Sequence, residues 1–180
     1  MVDTKPLTYA LVCKVIEENG CFSLIYRRDR HVDRGGKRIY FYFRPHLVIT
    51  LKSDKKDFMK QIRETLGCGK ITSTERQVRL DIFSPYDSKA MLTILDKHNF
   101  ENKNKIKEYK LWREAVDLMV KNQKQKVNAE KGKRGFVGTW AKFDPRDLKR
   151  LFRIREEMKQ YKRWKKTDYK WTNTRLASPF

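Results

Sequence analysis

The chain has 180 residues, a formal net charge of +21 at pH 7 and a hydrophobic content of 39%. That is enough for one domain with a core, and the excess positive charge asks for a polyanion, nucleic acid first and a membrane surface second. No apolar run approaches the ~20 residues of a membrane span, and the N-terminus lacks the basic-then-apolar layout of a secretory signal. Three cysteines, Cys13, Cys21 and Cys68, have no metal spacing. Their odd number fits a reduced compartment in which they serve as small buried hydrophobes.

Residues 1–7 read as a short arm. Tyr9, Leu11, Val12, Val15 and Ile16 recur at helical spacing and predict a first helix over residues 8–18. It closes on Glu17-Glu18-Asn19-Gly20. Acids at a helix C-terminus oppose the dipole, a local cost that points to a functional end, and Gly20 suits a left-handed exit. Phe22, Leu24 and Tyr26 then alternate with Ser23, Ile25 and Arg27 and predict a half-buried strand over 21–27. The link 28–38 carries Arg28, Arg30, His31, Arg34, Lys37 and Arg38 and reads as a basic hairpin tip with a Gly35-Gly36 turn.

The next strand alternates most clearly. Ile39, Phe41, Phe43, Leu47, Ile49 and Leu51 belong on helices, whereas Arg38, Tyr40, Tyr42, Arg44, His46, Val48 and Thr50 face ligand or solvent. Tyrosine offers a stacking plane and arginine a phosphate or base-edge contact. Tyrosines flanked by arginines suit splayed single-stranded bases better than a duplex groove; the alternative is that they pack across strands, against Ile25 or each other.

Ser53 or Asp54 is the expected cap of a second helix carrying Phe58, Ile62 and Leu66, ended by Gly67-Cys68-Gly69. A second hairpin turns Lys70, Thr72 and Thr74 outward on one strand, and sets Val78, Leu80 and Ile82 against Gln77, Arg79 and Asp81 on the other. Arg76 lies in its turn, and Pro85 stops the pairing. Helices follow over 86–97 and 104–121, and another over 144–161, with a polar, glycine-hinged loop at 121–138 between the last two. Residues 121–180 hold 19 Lys and Arg against 6 Asp and Glu, a net of +13. Lys162, Arg163, Trp164, Lys165 and Lys166, continued by Tyr169, Lys170 and Trp171, form a tail that cannot build its own core and can thread along RNA by phosphate pairing and stacking.

The run V-C-K-V-I-E-E-N-G at 12–20, L-G-C-G-K-I after the second helix, L-W-R-E-A-V-D-L-M in the fourth and the order α-β-β-α-β-β-α-α together resemble the LAGLIDADG homing endonuclease family over residues 8–121. The helix at 144–161 is similar to one found in single-motif members. The resemblance implies an α+β fold, an αββαββα saddle with an antiparallel sheet and here a basic C-terminal extension. The chain then divides into a nucleic-acid-binding domain at 1–121, a basic loop at 122–143, and a helix with a basic aromatic tail at 144–180. In the family, two motif helices pack together, each half-sheet covers half of a long DNA site, and motif aspartates hold Mg²⁺ between the scissile phosphates. A lysine near Lys103 or Lys105 matches the family's second-shell lysine.

Three motif positions depart from the family. Cys13 replaces a small alanine, Lys14 stands where a glycine lets the two helices cross, and Asn19 stands where the metal-binding aspartate belongs. A neutral amide lends an oxygen but no charge, so metal binding and water activation would suffer. A lysine at the helix crossing argues against the ordinary homodimer: either Lys14 meets a glutamate there, or the chain works as a single half-saddle.

The expectation is therefore a protein without cofactor that has kept the scaffold, lost cleavage and binds structured RNA. The RNA would be an organellar intron, in a maturase-like role, or ribosomal RNA within a ribonucleoprotein, in the mitochondrion before the chloroplast by resemblance alone. The interface would comprise Ser23, Arg27, Arg28, Arg30, Arg34, Lys37, Arg38, Tyr40, Tyr42, Arg44 and His46 on the first hairpin. Lys70, Thr72, Thr74, Arg76 and Arg79 would continue it on the second, with the tail residues 162–166 beyond. The first rival is an active homodimeric Mg²⁺ endonuclease using Glu17, Glu18 and Asn19, with Glu17 and Asn19 on the metal and Lys103 or Lys105 beside them. The second is a DNA-binding regulator that does not cut.

Overall fold

The computed structural model describes residues 7–33, 36–129 and 143–161, and side chains for 7–27, 42–122 and 143–161. The elements are α1 (Tyr9–Asn19), β1 (Gly20–Asp33), β2 (Gly36–Lys52), a 3₁₀ turn (Ser53–Lys55), α2 (Lys56–Leu66), β3 (Lys70–Ser73), β4 (Gln77–Ile82), α3 (Pro85–Leu95), α4 (Lys103–Ala129) and α5 (Pro145–Gln160). The strands form one antiparallel sheet in the order β1-β2-β4-β3. Helices cover one of its faces, giving the α+β architecture expected. Among the described residues no helix is long and apolar enough to cross a membrane.

The register explains why that face is dry. Phe22 opposes Leu47, which opposes Ile82, and Ile49 opposes Leu80. All five are essentially inaccessible to solvent, as are Ile16, Trp112 and Leu151 from the helices above. Two aromatic clusters set the depth of the layer. Phe22 meets Trp112 at 5.0 Å and Tyr109 at 5.5 Å, joining β1 to α4. Phe152 meets Phe43 at 4.9 Å and Tyr26 at 5.3 Å, so α5 packs into the same core. Buried Asn122 closes the gap between α4 and α5: its amide donates to Asp147 and to the Leu118 carbonyl, and its oxygen accepts from Asp144 N–H.

Several local expectations change. β1 and β2 run through most of the link 28–38, with Asp33 opposite Gly36, because ladder hydrogen bonds continue where alternation has stopped reporting burial. Gly36, expected in the turn, is therefore a ladder residue, and 34–35 lie outside the described residues. Neither Ser53 nor Asp54 caps α2; they lie in the 3₁₀ turn, and the capping position is Lys55 without a side-chain hydrogen bond. Pro85 does end β4, but as the first residue of α3, with Ser84 as its cap. α4 continues to Ala129 where a loop was expected, since no glycine or proline interrupts the chain before Gly132. Gly20 leaves α1 with φ −85°, in ordinary extended backbone. Its requirement is space: a Cβ there would meet the Ile16 carbonyl oxygen at 2.3 Å.

Candidate nucleic-acid interface

The other face of the sheet, uncovered among the described residues, is built from residues of the opposite parity. β1 contributes Ile25 and Arg27, β2 contributes Tyr42, Arg44, His46, Val48, Thr50 and Lys52, β4 contributes Gln77, Arg79 and Asp81, and β3 contributes Lys70 and Thr72. Arg27, Lys52, Lys70 and Thr72 are exposed, and Tyr42, Arg44, His46 and Arg79 are half-buried. The expected interleaving of basic and aromatic side chains is thus carried on one surface. Among the described side chains of this face, Asp81 is the one carboxylate.

Asp81 organises its neighbours. Its Oδ1 lies 2.8 Å from His46 Nε2 and 3.2 Å from an Arg79 guanidinium nitrogen. Burial lowers the His46 pKa, the Asp81 contact pulls it back upward, and the charges of Arg79 and Arg27 push it down again, for a net depression. Tyr42 stands beside Arg44. Its ring lies 5.1 Å from the Arg44 guanidinium carbon, which lies equally 5.1 Å from the ring of Phe83.

Other expected contacts are differently employed. Ser23 is buried, and its hydroxyl donates to the His46 carbonyl. Thr74 is exposed but closes the β3–β4 turn, its hydroxyl accepting from Gln77 N–H. Arg76 is exposed beside it. The backbones of Arg28, Arg30, Lys37, Arg38 and Tyr40 lie in the β1–β2 ladder, but their side chains are outside the described residues. Arg34 and the tail residues Lys162, Arg163, Trp164, Lys165 and Lys166 are wholly outside them. Phe83 and Asp81 were not singled out in the sequence. Continuing the outward alternation of Gln77, Arg79 and Asp81 by one step would have reached Phe83.

The end of α1 forms a second constellation. Glu17 Oε1 accepts the backbone N–H groups of Glu101 and Asn102 at 2.7 Å each, and Oε2 lies 3.5 Å from His98 Nε2. Burial alone would raise the Glu17 carboxyl, but these two amides and His98 hold it below the usual carboxylate range. The acid that opposes the dipole of its own helix is therefore satisfied at the entrance to α4, whose own cap is Asn102. Lys105 donates to the Gly20 carbonyl at 2.6 Å and to the buried Glu108 at 3.0 Å, fixing the α1–β1 corner. Glu18, Asn19 and Lys103 are exposed, as is Lys14 on the outer side of α1. Cys13 is buried and its thiol is pushed up to about 11 by burial; Cys21, expected inside, is exposed.

The profile of the LAGLIDADG endonuclease family matches residues 16–116. This chain belongs to that family. No curated protein matches the chain. Among solved structures, the LAGLIDADG homing endonuclease I-LtrWI bound to target DNA is 14% identical, with a TM-score of 0.65 over 90% of this chain and 47% of that one. The homing endonuclease I-TnaI is 17% identical, with a TM-score of 0.62 over 86% of this chain and 89% of that one. I-GzeII, in complex with its DNA target, is 16% identical, with a TM-score of 0.60 over 84% of this chain and 45% of that one. The chain therefore spans most of I-TnaI and about half of the other two, and it shares the LAGLIDADG homing endonuclease fold.

A divalent cation, which the family implies, is poorly served by this helix end. Glu17 already accepts two backbone N–H groups, Asn19 brings no charge, and Lys105 is turned to the Gly20 carbonyl and Glu108. Of the two motif glutamates only Glu18 is exposed. That donor set does not match a site for a hard dication, which wants several charged oxygens.

Proposed function

We propose that this protein is a LAGLIDADG-fold nucleic-acid-binding scaffold that does not cut and that takes structured RNA, of an organellar intron or ribosome, as its partner. The observation that carries the reading is the uncovered sheet face, where Arg27, Arg44, Arg79 and Lys70 stand around one carboxylate. Such a surface attracts phosphates whatever their sequence. The absence of cutting is supported by the commitment of Glu17 and the neutral Asn19. The choice of RNA is supported by the rings among the cations, Tyr42 and Phe83, and by the lysine- and tryptophan-rich sequence after residue 161. The solved relatives I-LtrWI and I-GzeII are recorded with DNA targets, which makes duplex DNA the competing partner.

Ultraviolet crosslinking in native extract, followed by sequencing of the attached nucleic acid, tests the partner. Reads concentrated in one structured RNA are expected, and recovery of one duplex DNA site instead would overturn the RNA assignment. Incubating the recovered nucleic acid, and a duplex library, with Mg²⁺ tests the chemistry. Parent protein that cuts duplex DNA, with cutting abolished by Glu17→Gln, would overturn the scaffold assignment.

A further inference from the structure

Phe83 is out of place for a packing residue. It follows β4 at the parity of Gln77, Arg79 and Asp81, so it stands on the polar face of the sheet, 38% exposed. Its ring has a cation against it: the Arg44 guanidinium carbon is 5.1 Å from the ring centroid. The same carbon is 5.1 Å from the Tyr42 centroid, and an Arg44 nitrogen donates to the Tyr42 hydroxyl at 3.4 Å. Among the described residues no carboxylate pairs with Arg44. Its position is therefore fixed by two rings, while its charge remains available to an anion.

An exposed ring cannot hydrogen-bond, so its complement is another flat π surface. A nucleobase has one, and the phosphate joined to it answers the uncompensated arginine. In a continuous duplex the base faces are already covered by stacked neighbours, so only a splayed or bulged base can lie on Phe83. A guanidinium pre-set against the ring loses less side-chain freedom on binding than a free arginine would.

We propose that Phe83, with Arg44 and Tyr42 beside it, is a stacking platform for one unpaired base of a structured RNA. This rests on the RNA-binding reading above and names the feature of the RNA that the sheet recognises. The probes are an RNA hairpin with a single bulged 2-aminopurine, the same hairpin without the bulge, and a DNA duplex of equal length, all at one salt concentration.

The parent should bind the bulged hairpin more tightly than the paired one and change the 2-aminopurine fluorescence on binding. Phe83→Ala should weaken the bulged complex by about 5- to 140-fold, the loss of one base–aromatic stack, and leave the paired complex unchanged. Phe83→Trp should restore bulge preference. Phe83→Leu should not, although it keeps the apolar bulk and so guards against a folding artefact. Equal binding of bulged and paired hairpins, untouched by Phe83→Ala, would overturn the platform while RNA binding stands. Preference for the DNA duplex, weakened by Phe83→Ala, would overturn both, because Phe83 would then be touching groove edges such as thymine methyls.

Discussion

The two surfaces of this molecule differ in where their carboxylates stand. On the outside of the helical layer several charges are bridged from one helix to the next. Arg113 bridges Asp96 and Asp117, Arg150 bridges Glu114 and Glu157, and Lys121 meets Asp147, so α3, α4 and α5 are laced together. On the uncovered face of the sheet the cations outnumber their partners, and Asp81 holds only Arg79 and His46. Matched charges contribute to the fold, and unmatched ones repel each other until an outside anion arrives. Within a chain of net charge +21, the helical layer thus spends part of its charge on bridges between helices, and the sheet face keeps most of its own free of carboxylates.

The comparison breaks most completely if the layer between the surfaces is removed. Trp112 is fully buried against Phe22, and Trp112→Ala should cost about 3–5 kcal/mol of stability and all binding with it. Gly20→Ala should cost about 1–3 kcal/mol, because the added methyl collides with the Ile16 carbonyl and not with a flexible side chain. Both are read from denaturation midpoints. A Gly20→Ala midpoint equal to that of the parent would mean that the corner yields freely.

Two substitutions then sharpen the contrast. Arg150→Ala leaves Glu114 and Glu157 without their bridge. These side chains are partly exposed, so solvent screening limits the loss to about 1 kcal/mol, with no change in nucleic-acid affinity. The double variant Arg27→Ala with Arg44→Ala should do the reverse. Stability should stay within about 0.5 kcal/mol, while the slope of log affinity against log salt should become shallower by up to about 1.8 on a duplex, from two lost phosphate contacts. Equal salt slopes for the parent and the Arg27/Arg44 variant would deny the sheet face its role.

Much of this contrast was legible in the sequence, because alternation in β2 reports two faces directly and the motif run at 12–20 fixes where α1 ends. What was hidden depends on contacts between distant segments. Glu17 reads as an unfavourable acid at a helix end until the fold brings the Asn102 and Glu101 amides to it. Lys105 reads as a candidate active-site lysine until Gly20 and Glu108 are placed around it. Ser23 has the parity of an interface residue, yet the neighbouring strand buries it. The extent of the β1–β2 arm was hidden for another reason: its ladder continues through 28–33 and 36–38, where the sequence no longer alternates apolar with polar.

The smallest effect concerns His46, the one imidazole among the described side chains of the binding surface. His46 has its pKa depressed by burial in the fold, against the pull of Asp81, so in the folded chain it resists taking a proton. An unfolded chain has no such resistance and protonates its histidine near about pH 6.5. Below that value the unfolded state binds the additional proton, so the stability His46 contributes is present above it and is lost as the pH falls through the depressed folded value. Parent and His46→Gln should therefore have parallel stabilities from about pH 7 to 8 and diverge toward pH 5, the parent falling faster by a few tenths of a kcal/mol up to about 1. Only below the depressed folded value does the folded imidazole take its proton and add a cation beside Arg79 and Arg27, so the parent's nucleic-acid affinity should begin to rise at a lower pH than its stability begins to fall. The histidine-to-glutamine variant should show neither change. Stability curves that stay parallel to pH 5 would mean that Asp81 compensates fully for burial, with His46 titrating as it does in the unfolded chain.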